Sequence, residues 1–102
     1  MPIEINNAIK VAVQSGKVKF GIKSAIKATR TENAKMIIIA KNCQKELEEK
    51  IIRRVKDTNI LTYTYEGSSW ELGTACLRPH TVEALTIIDP GSSDILKISE
   101  ET

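Results

Sequence analysis

At 102 residues, 41% of them hydrophobic and 27% charged, the chain has enough length for one domain with a real core and too little for two. That balance excludes a disordered polymer, and no apolar run approaches the roughly 20 residues of a membrane span. The net charge of +2 hides an asymmetry: through Lys45, nine Lys or Arg stand against Glu4 and Glu32, a balance of +7, while the remainder carries −5. A basic first half points to a polyanionic partner.

In chain order, Ile5, Ala8, Ile9, Ala12 and Val13 repeat at i, i+3, i+4, i+7, i+8 and predict a first helix with one apolar face. Pro2 fits its start and Gly16 the left-handed position that would end it. Lys17-Val18-Lys19-Phe20 alternates as a half-buried strand does, and Gly21 allows a tight turn. A second helix follows, with Ile22, Ala25, Ile26 and Thr29 inward and Lys23, Lys27 and Arg30 as a basic stripe along a flank. The stripe reads either as a solvated face or, with Lys17 and Lys19 just upstream, as a phosphate-binding surface.

Met36-Ile37-Ile38-Ile39-Ala40 is too short for a buried helix and too uniformly apolar for a half-exposed strand. It predicts the central strand of the sheet, with Lys41, Asn42 and Cys43 at its carboxyl edge, where open α/β sheets meet ligands. A third helix carries Leu47, Ile51 and Val55, with Ile52 widening the apolar face. Its acids precede its bases, which suits the helix dipole. Glu46–Lys50 and Glu49–Arg53 pairs would add about 0.2–0.5 kcal/mol each.

After a turn at residues 57–59, residues 60–65 alternate as an edge-type strand with Leu61, Tyr63 and Tyr65 on the drier face. Ser68-Ser69-Trp70-Glu71 has capping-box spacing and opens a short fourth helix, which Pro79 prevents from continuing. Residues 82–88 predict a fourth strand, Asp89-Pro90-Gly91 a sharp turn, and Ile95, Leu96 and Ile98 a last packed segment before a frayed end. Strands alternating with helices imply a single-domain α/β fold, a three-layer α/β/α sandwich with a four-stranded mixed sheet whose first strand runs antiparallel.

Catalytic chemistry finds no support in the residues. No phosphate-cradling glycine loop or zinc-helix motif occurs, and Cys43, Cys76 and His80 are too few and too unlike known spacings for a metal site, so no metal or cofactor is expected. A Cys76–His80 nucleophilic pair has neither an orienting acid nor an oxyanion hole beside it. Cys43 and Cys76 form no CxxC pair, which suits a reducing cytosol, and Met1-Pro2-Ile3-Glu4 does not open a signal peptide. What remains is a set of edge loops at residues 21–23, 41–43 and 77–81. Asn42 reads either as the cap of the third helix or as an amide that both donates to and accepts from a base edge. Arg78 can meet phosphate, Pro79 stiffens its loop, and His80 and Val82 offer a surface to an unstacked base.

These blocks, in this order and spacing, resemble the L-thirty-e family of large-subunit ribosomal proteins over nearly the whole chain. The carrying residues are Gly21-Ile22-Lys23-Ser24, the stretch from Ala34 through Asn42, Tyr65-Glu66-Gly67, Glu71-Leu72-Gly73-Thr74-Ala75, Arg78-Pro79-His80-Thr81-Val82 and Asp89-Pro90-Gly91-Ser92-Ser93-Asp94-Ile95-Leu96. The Arg-Pro-His-Thr block is similar to the archaeal branch. The resemblance implies a cytoplasmic ribosomal component without enzymatic activity, monomeric when free, that grips a kink-turn of large-subunit ribosomal RNA among neighbouring ribosomal proteins. It puts Gly21 and Lys23 in the first contact loop, Asn42 in the second, and His80 and Val82 in the third, where other members carry a bulky aromatic. The related L-seven-Ae family has Asn-Glu where this chain has Lys23-Ser24, so guanine recognition through Glu does not transfer. The alternatives are a stand-alone kink-turn binder of that second type and a small protein-binding module on the same fold.

Overall fold

The computed structural model describes residues 4–31, 34–56 and 58–97. Its organising element is the predicted central strand, β2 (Met36–Ala40), in which every residue is buried. Alternate side chains of a strand face opposite ways, so this strand splits the core in two. Met36, Ile38 and Ala40 join Ala8, Ile9 and Ala12 of helix α1 (Ile5–Ser15) and Leu72 of helix α4 (Ser69–Ala75). Ile37 and Ile39 pack against Ala25 and Ala28 of α2 (Ile22–Thr31) and Ile51 and Val55 of α3 (Lys45–Val55). Two apolar clusters on opposite faces of one sheet make the expected sandwich.

The sheet order is β1-β4-β2-β3, with β1 at Lys17–Phe20, β3 at Leu61–Tyr65 and β4 at Ala84–Asp89. β2 and β3 are parallel, while β4 lies between β1 and β2 and is antiparallel to both. The β1 pairing is antiparallel as expected, but the strand that runs against all the others is β4. The expected fourth strand began at residue 82 and begins at Ala84 instead. Before it, the Val82 amide donates to the Ser69 carbonyl (2.9 Å), and the Glu83 carbonyl accepts from Ala40 (2.9 Å). These two residues thereby tie α4 and the end of β2 to the start of β4.

Two further expectations change. Gly16 does not end α1 in a left-handed conformation: its φ and ψ are −112° and −161°, an extended geometry. A glycine is required there by crowding, since a Cβ would come within 2.0 Å of the Asp89 carbonyl oxygen, 2.9 Å of the Pro90 carbonyl carbon and 3.0 Å of the Ala12 oxygen. Ile52 is 39% exposed and does not widen the apolar face of α3, which is confined to Leu47, Ile51 and Val55 at four-residue spacing. The predicted acids-first, bases-last order of that helix holds, with Glu46 and Glu48 in its first turn and Arg53 and Arg54 in its last.

The capping box of α4 forms as its spacing predicts, with the Ser68 hydroxyl accepting from the Glu71 amide at 3.2 Å. The helix stops before Pro79 can act on it. Leu77, at φ +62°, takes the left-handed position; its amide donates to the Thr74 carbonyl and the Arg78 amide donates to the Gly73 carbonyl. This is a Schellman closure, made with a leucine rather than a glycine. The Asp89-Pro90-Gly91 turn forms, and a short 3-10 turn at Ile95–Lys97 buries Ile95. Pro2, Asp57, Ile98 and the chain end lie outside the described residues.

Replacing Gly16 by Ala should destabilise the protein by about 1–3 kcal/mol, the usual range for overpacking, because the atoms in the way are backbone and cannot rotate aside. Urea unfolding measures this. An unchanged midpoint would mean that the α1–β1 corner opens freely away from the Asp89 turn.

Candidate nucleic-acid interface

Because β4 alone is reversed, the carboxyl ends of β1, β2 and β3 and the amino end of β4 share one edge of the sheet. Four chain segments meet there: Gly21 after β1, Lys41 and Asn42 after β2, the segment at 66–68 after β3, and the segment at 78–83 before β4. Backbone bonds join them. Gly21 donates to the Ala84 carbonyl (2.9 Å) and Lys41 to the Gly67 carbonyl (3.1 Å). Gly21 itself has φ +100°, which fits the turn expected of it.

Asn42 does not cap the helix that follows it in sequence. The residue at the start of α3 is Gln44, whose side chain makes no capping bond. The Asn42 Oδ1 instead accepts from the Ser69 amide at 2.8 Å, the first residue of α4 and 27 positions away. A helix leaves its first amides without internal partners, and Asn42 supplies one from another loop. Since an N–H donor must face the carbonyl oxygen of the amide, Nδ2 is directed elsewhere. The residue is exposed, and its NH2 group has no partner among the described residues.

The third loop is held against both α4 and β1. Gly73 has no Cβ, and one placed there would lie 2.0 Å from the His80 carbonyl oxygen, so the loop lies directly on the helix. The guanidinium of Arg78 sits 4.3 Å from the centroid of the Phe20 ring, a cation–π contact that spans from the loop to the end of β1. Arg78, Pro79 and His80 are exposed. His80 Nδ1 lies 3.0 Å from the Thr81 carbonyl; a contact with an acceptor requires the proton on Nδ1, which leaves Nε2 an acceptor in the neutral ring. Val82 departs from expectation. It is 2% exposed and packs in the core with Leu72 and Leu85, so it borders the edge groove from within the core rather than standing out as an apolar surface. The groove beside it, about 450 Å³, is lined by Phe20, Gly21, Lys23, His80 and Thr81 among others.

The basic stripe is exposed along its length at Lys23, Lys27 and Arg30. Val18 and Phe20 turn toward the α1 side of the sheet, so Lys17 and Lys19 share the α2 side with the stripe. Lys19 and Lys27 line one cleft of about 260 Å³ together with Ser24 and Thr86. Lys23 belongs to both the stripe and the groove, and so links the charged flank to the edge loops.

The two cysteines are free and buried, as small apolar groups should be. Burial pushes the Cys76 thiol up to about 12 and also raises that of Cys43, which keeps both protonated and unreactive at neutral pH. Cys76 is fully buried and His80 is exposed with its Nδ1 on the Thr81 carbonyl, so the structure gives a Cys76–His80 nucleophile no support. Among the described residues, no three His, Cys, Asp or Glu side chains cluster to hold a metal ion, and no helix is long and apolar enough to cross a membrane.

The sequence profile described as the Ribosomal protein L7Ae/L30e/S12e/Gadd45 family matches residues 3–97. The chain belongs to this family. It is 42% identical to the large ribosomal subunit protein eL30 of Methanococcus vannielii, over 97% of this chain and 94% of that protein. It is 38% identical to eL30 of Saccharolobus solfataricus, over 97% of this chain and 92% of that one. These relatives are ribosomal proteins and not enzymes. A Bacillus halodurans protein of unknown function has the same fold at 16% identity, with a TM-score of 0.82 over 97% of this chain and 98% of its own.

Sequence reasoning missed two contributors to this edge, Ser69 and Phe20, and the exposure of Trp70 beside Ser69. The capping box locates Ser69, but nothing local says that Asn42 will reach it. Phe20 reads as an ordinary inward residue of an alternating strand, with no sign of a cation above its ring. Trp70 was legible, since Leu72, Gly73 and Cys76 define the buried side of α4 and leave position 70 outside it.

If the stripe faces phosphate, Lys27→Ala and Arg30→Ala should each weaken RNA binding and lower the log–log salt slope by about 0.7–0.9 per lost contact. Binding isotherms at several salt concentrations measure this. An unchanged slope in both variants would make the stripe a solvated helix face and nothing more.

Proposed function

We propose that this chain serves as a structural component of the large ribosomal subunit and grips a kink-turn of ribosomal RNA through the three loops at its sheet edge. The family and the near-full-length correspondence to eL30 relatives support the ribosomal role. They favour it over a stand-alone binder of the L7Ae type and over a protein-binding module. It would act as a single copy in cytoplasmic ribosomes, with ribosomal proteins as further neighbours and no cofactor. The observation that carries the RNA reading is the state of Asn42: its carbonyl oxygen is anchored to Ser69 while its NH2 group is exposed and unpartnered among the described residues.

A kink exposes base edges that a regular duplex keeps paired. An immobilised donor beside an exposed lysine suits such an edge, because the amide discriminates and the lysine attracts without discriminating. In this arrangement Asn42 reads a base, and Lys41, Lys23 and Arg78 meet phosphate. Gly21 and His80 line the groove and Pro79 stiffens the loop that carries His80, while Lys27 and Arg30 extend the charged track along α2. Val82 contributes by fixing the third loop to α4 from within the core.

Asn42→Ala should weaken binding to a kink-turn by about 1–3 kcal/mol, the range of a good base contact. The loss on an unkinked duplex of equal length should be much smaller, since that affinity comes from phosphates. Asn42→Asp keeps an acceptor for the Ser69 amide but carries no donor and adds a negative charge, so it should retain stability and lose binding. Direct titration below the melting transition compares the three proteins. Should Asn42→Asp bind the kinked RNA as tightly as the parent, Asn42 serves only to hold α4.

A further inference from the structure

We infer that Trp70 is a base-stacking platform set between the second and third loops, and that its occupant is an unpaired base of the bound RNA. The inference rests on the RNA reading above and adds to it a contact on an element that no loop assignment includes.

The fold settles the chain's other aromatic side chains. Tyr63 and Tyr65 pack against the core, and Phe20 is partly buried with Arg78 over its ring. Trp70 is left 62% exposed, although a tryptophan has more apolar area to hide than any other residue. Its position is fixed despite that exposure. Ser69, the residue before it, is held from both sides, with its amide donating to Asn42 Oδ1 (2.8 Å) and its carbonyl accepting from the Val82 amide (2.9 Å). The Trp70 backbone therefore stands where the second and third loops are tied together.

Helical side chains lean toward the helix amino terminus. For Trp70 that direction leads back over the turn at 67–68, whose Gly67 carbonyl accepts from Lys41. The Trp70 backbone, one residue on from the Ser69 amide that Asn42 holds, thus adjoins the edge that carries Lys41 and Asn42, both exposed. Its helix position faces outward, as do those of Glu71 and Thr74, while Ser69, Leu72 and Gly73 are buried and Gly73 lies against the His80 carbonyl. A flat apolar face beside a hydrogen-bonding amide and a lysine matches a nucleobase with its phosphate. Stacking supplies area without reading sequence, and the amide next to it supplies the selection. A protein neighbour would need only the apolar face, and would leave the adjacent unpaired amide donor and the lysine unexplained.

Trp70 is the chain's single tryptophan, so its fluorescence reports on this site alone. The intact protein is titrated with a kink-turn RNA and with an unkinked duplex of the same length, and affinities are measured separately for Trp70→Ala, Trp70→Phe and Asn42→Ala. The inference expects saturable quenching by the kinked RNA that follows its binding curve, and little quenching by the duplex. It expects Trp70→Ala to bind the kinked RNA about 10- to 100-fold more weakly, with Trp70→Phe recovering much of the loss. If the kinked RNA binds, Asn42→Ala weakens it and Trp70→Ala does not, the stacking platform is wrong while the RNA reading stands; Trp70 then belongs to a protein contact. Quenching without any loss of affinity in Trp70→Ala would likewise overturn stacking, as mere proximity. If the parent binds kinked RNA no better than duplex, the inference falls together with the reading beneath it.

Discussion

The reversal of β4 governs everything this protein can present to a partner. That strand sits inside the sheet, paired on one side with β1 and on the other with β2, and its direction is opposite to both. A parallel fourth strand would have delivered its preceding loop to the far edge of the sheet, some five residues away along the strands. Instead the chain leaves β3, makes the short helix α4, and returns along that helix through residues 78–83 to start β4 beside the ends of β1 and β2. The brevity of α4 and the left-handed closure at Leu77 make the return possible. One topological choice thus assembles Gly21, Asn42 and His80 on a common face.

The polar bonds at that edge serve stability and, on the proposed function, also prepare the loops for RNA. Buried or half-buried backbone groups must find partners, and here they find them across loops rather than within one element: Gly21 with Ala84, Ala40 with Glu83, Lys41 with Gly67, Ser69 with Asn42, Val82 with Ser69. Each bond satisfies a group that a strand end or helix start would otherwise leave open. Each also fixes one loop relative to another, so that the exposed groups are held in place before a ligand arrives. The opposite edge is closed differently, by small residues and hydroxyls. Gly16 lies against the Asp89 carbonyl, and the Ser15 hydroxyl accepts from the Ser92 amide. The charge distribution adds direction, because Lys23 stands at the working edge and Lys19, Lys27 and Arg30 continue the positive charge away from it along the α2 side of the sheet.

Periodicity carried the fold, because burial of a face leaves a repeating mark in the sequence. Met36 to Ala40 could be read as a two-sided strand, and the Ser68–Glu71 spacing located a helix start that the structure contains. Contacts between distant segments leave no such mark. Asn42 looked like a local cap because Asn before a helix usually is one, and its actual partner lies on a helix 27 residues later. Val82 reads from the sequence as the first residue of the fourth strand and as a surface for a base; its burial at 2% exposure, with its amide on the Ser69 carbonyl, draws it into the core ahead of that strand. Gly16 was assigned a conformational role when its reason is a carbonyl oxygen on a strand more than seventy residues away. The direction of β4 was equally invisible, since a strand's own sequence does not state which way its neighbours run.

The central claim is that recognition occurs at one edge of the sheet and spans all of its loops. Backbone amide chemical shifts, followed as kink-turn RNA is added to the isotopically labelled protein, test it most directly. The account predicts that the perturbed amides cluster at Gly21, Lys23, Asn42, Ser69, Trp70 and His80, and that Gly16, Gly91 and Ser92 at the opposite edge stay unshifted. Perturbations centred on that opposite edge, or confined to Lys27 and Arg30 with none at Asn42 and His80, would contradict it.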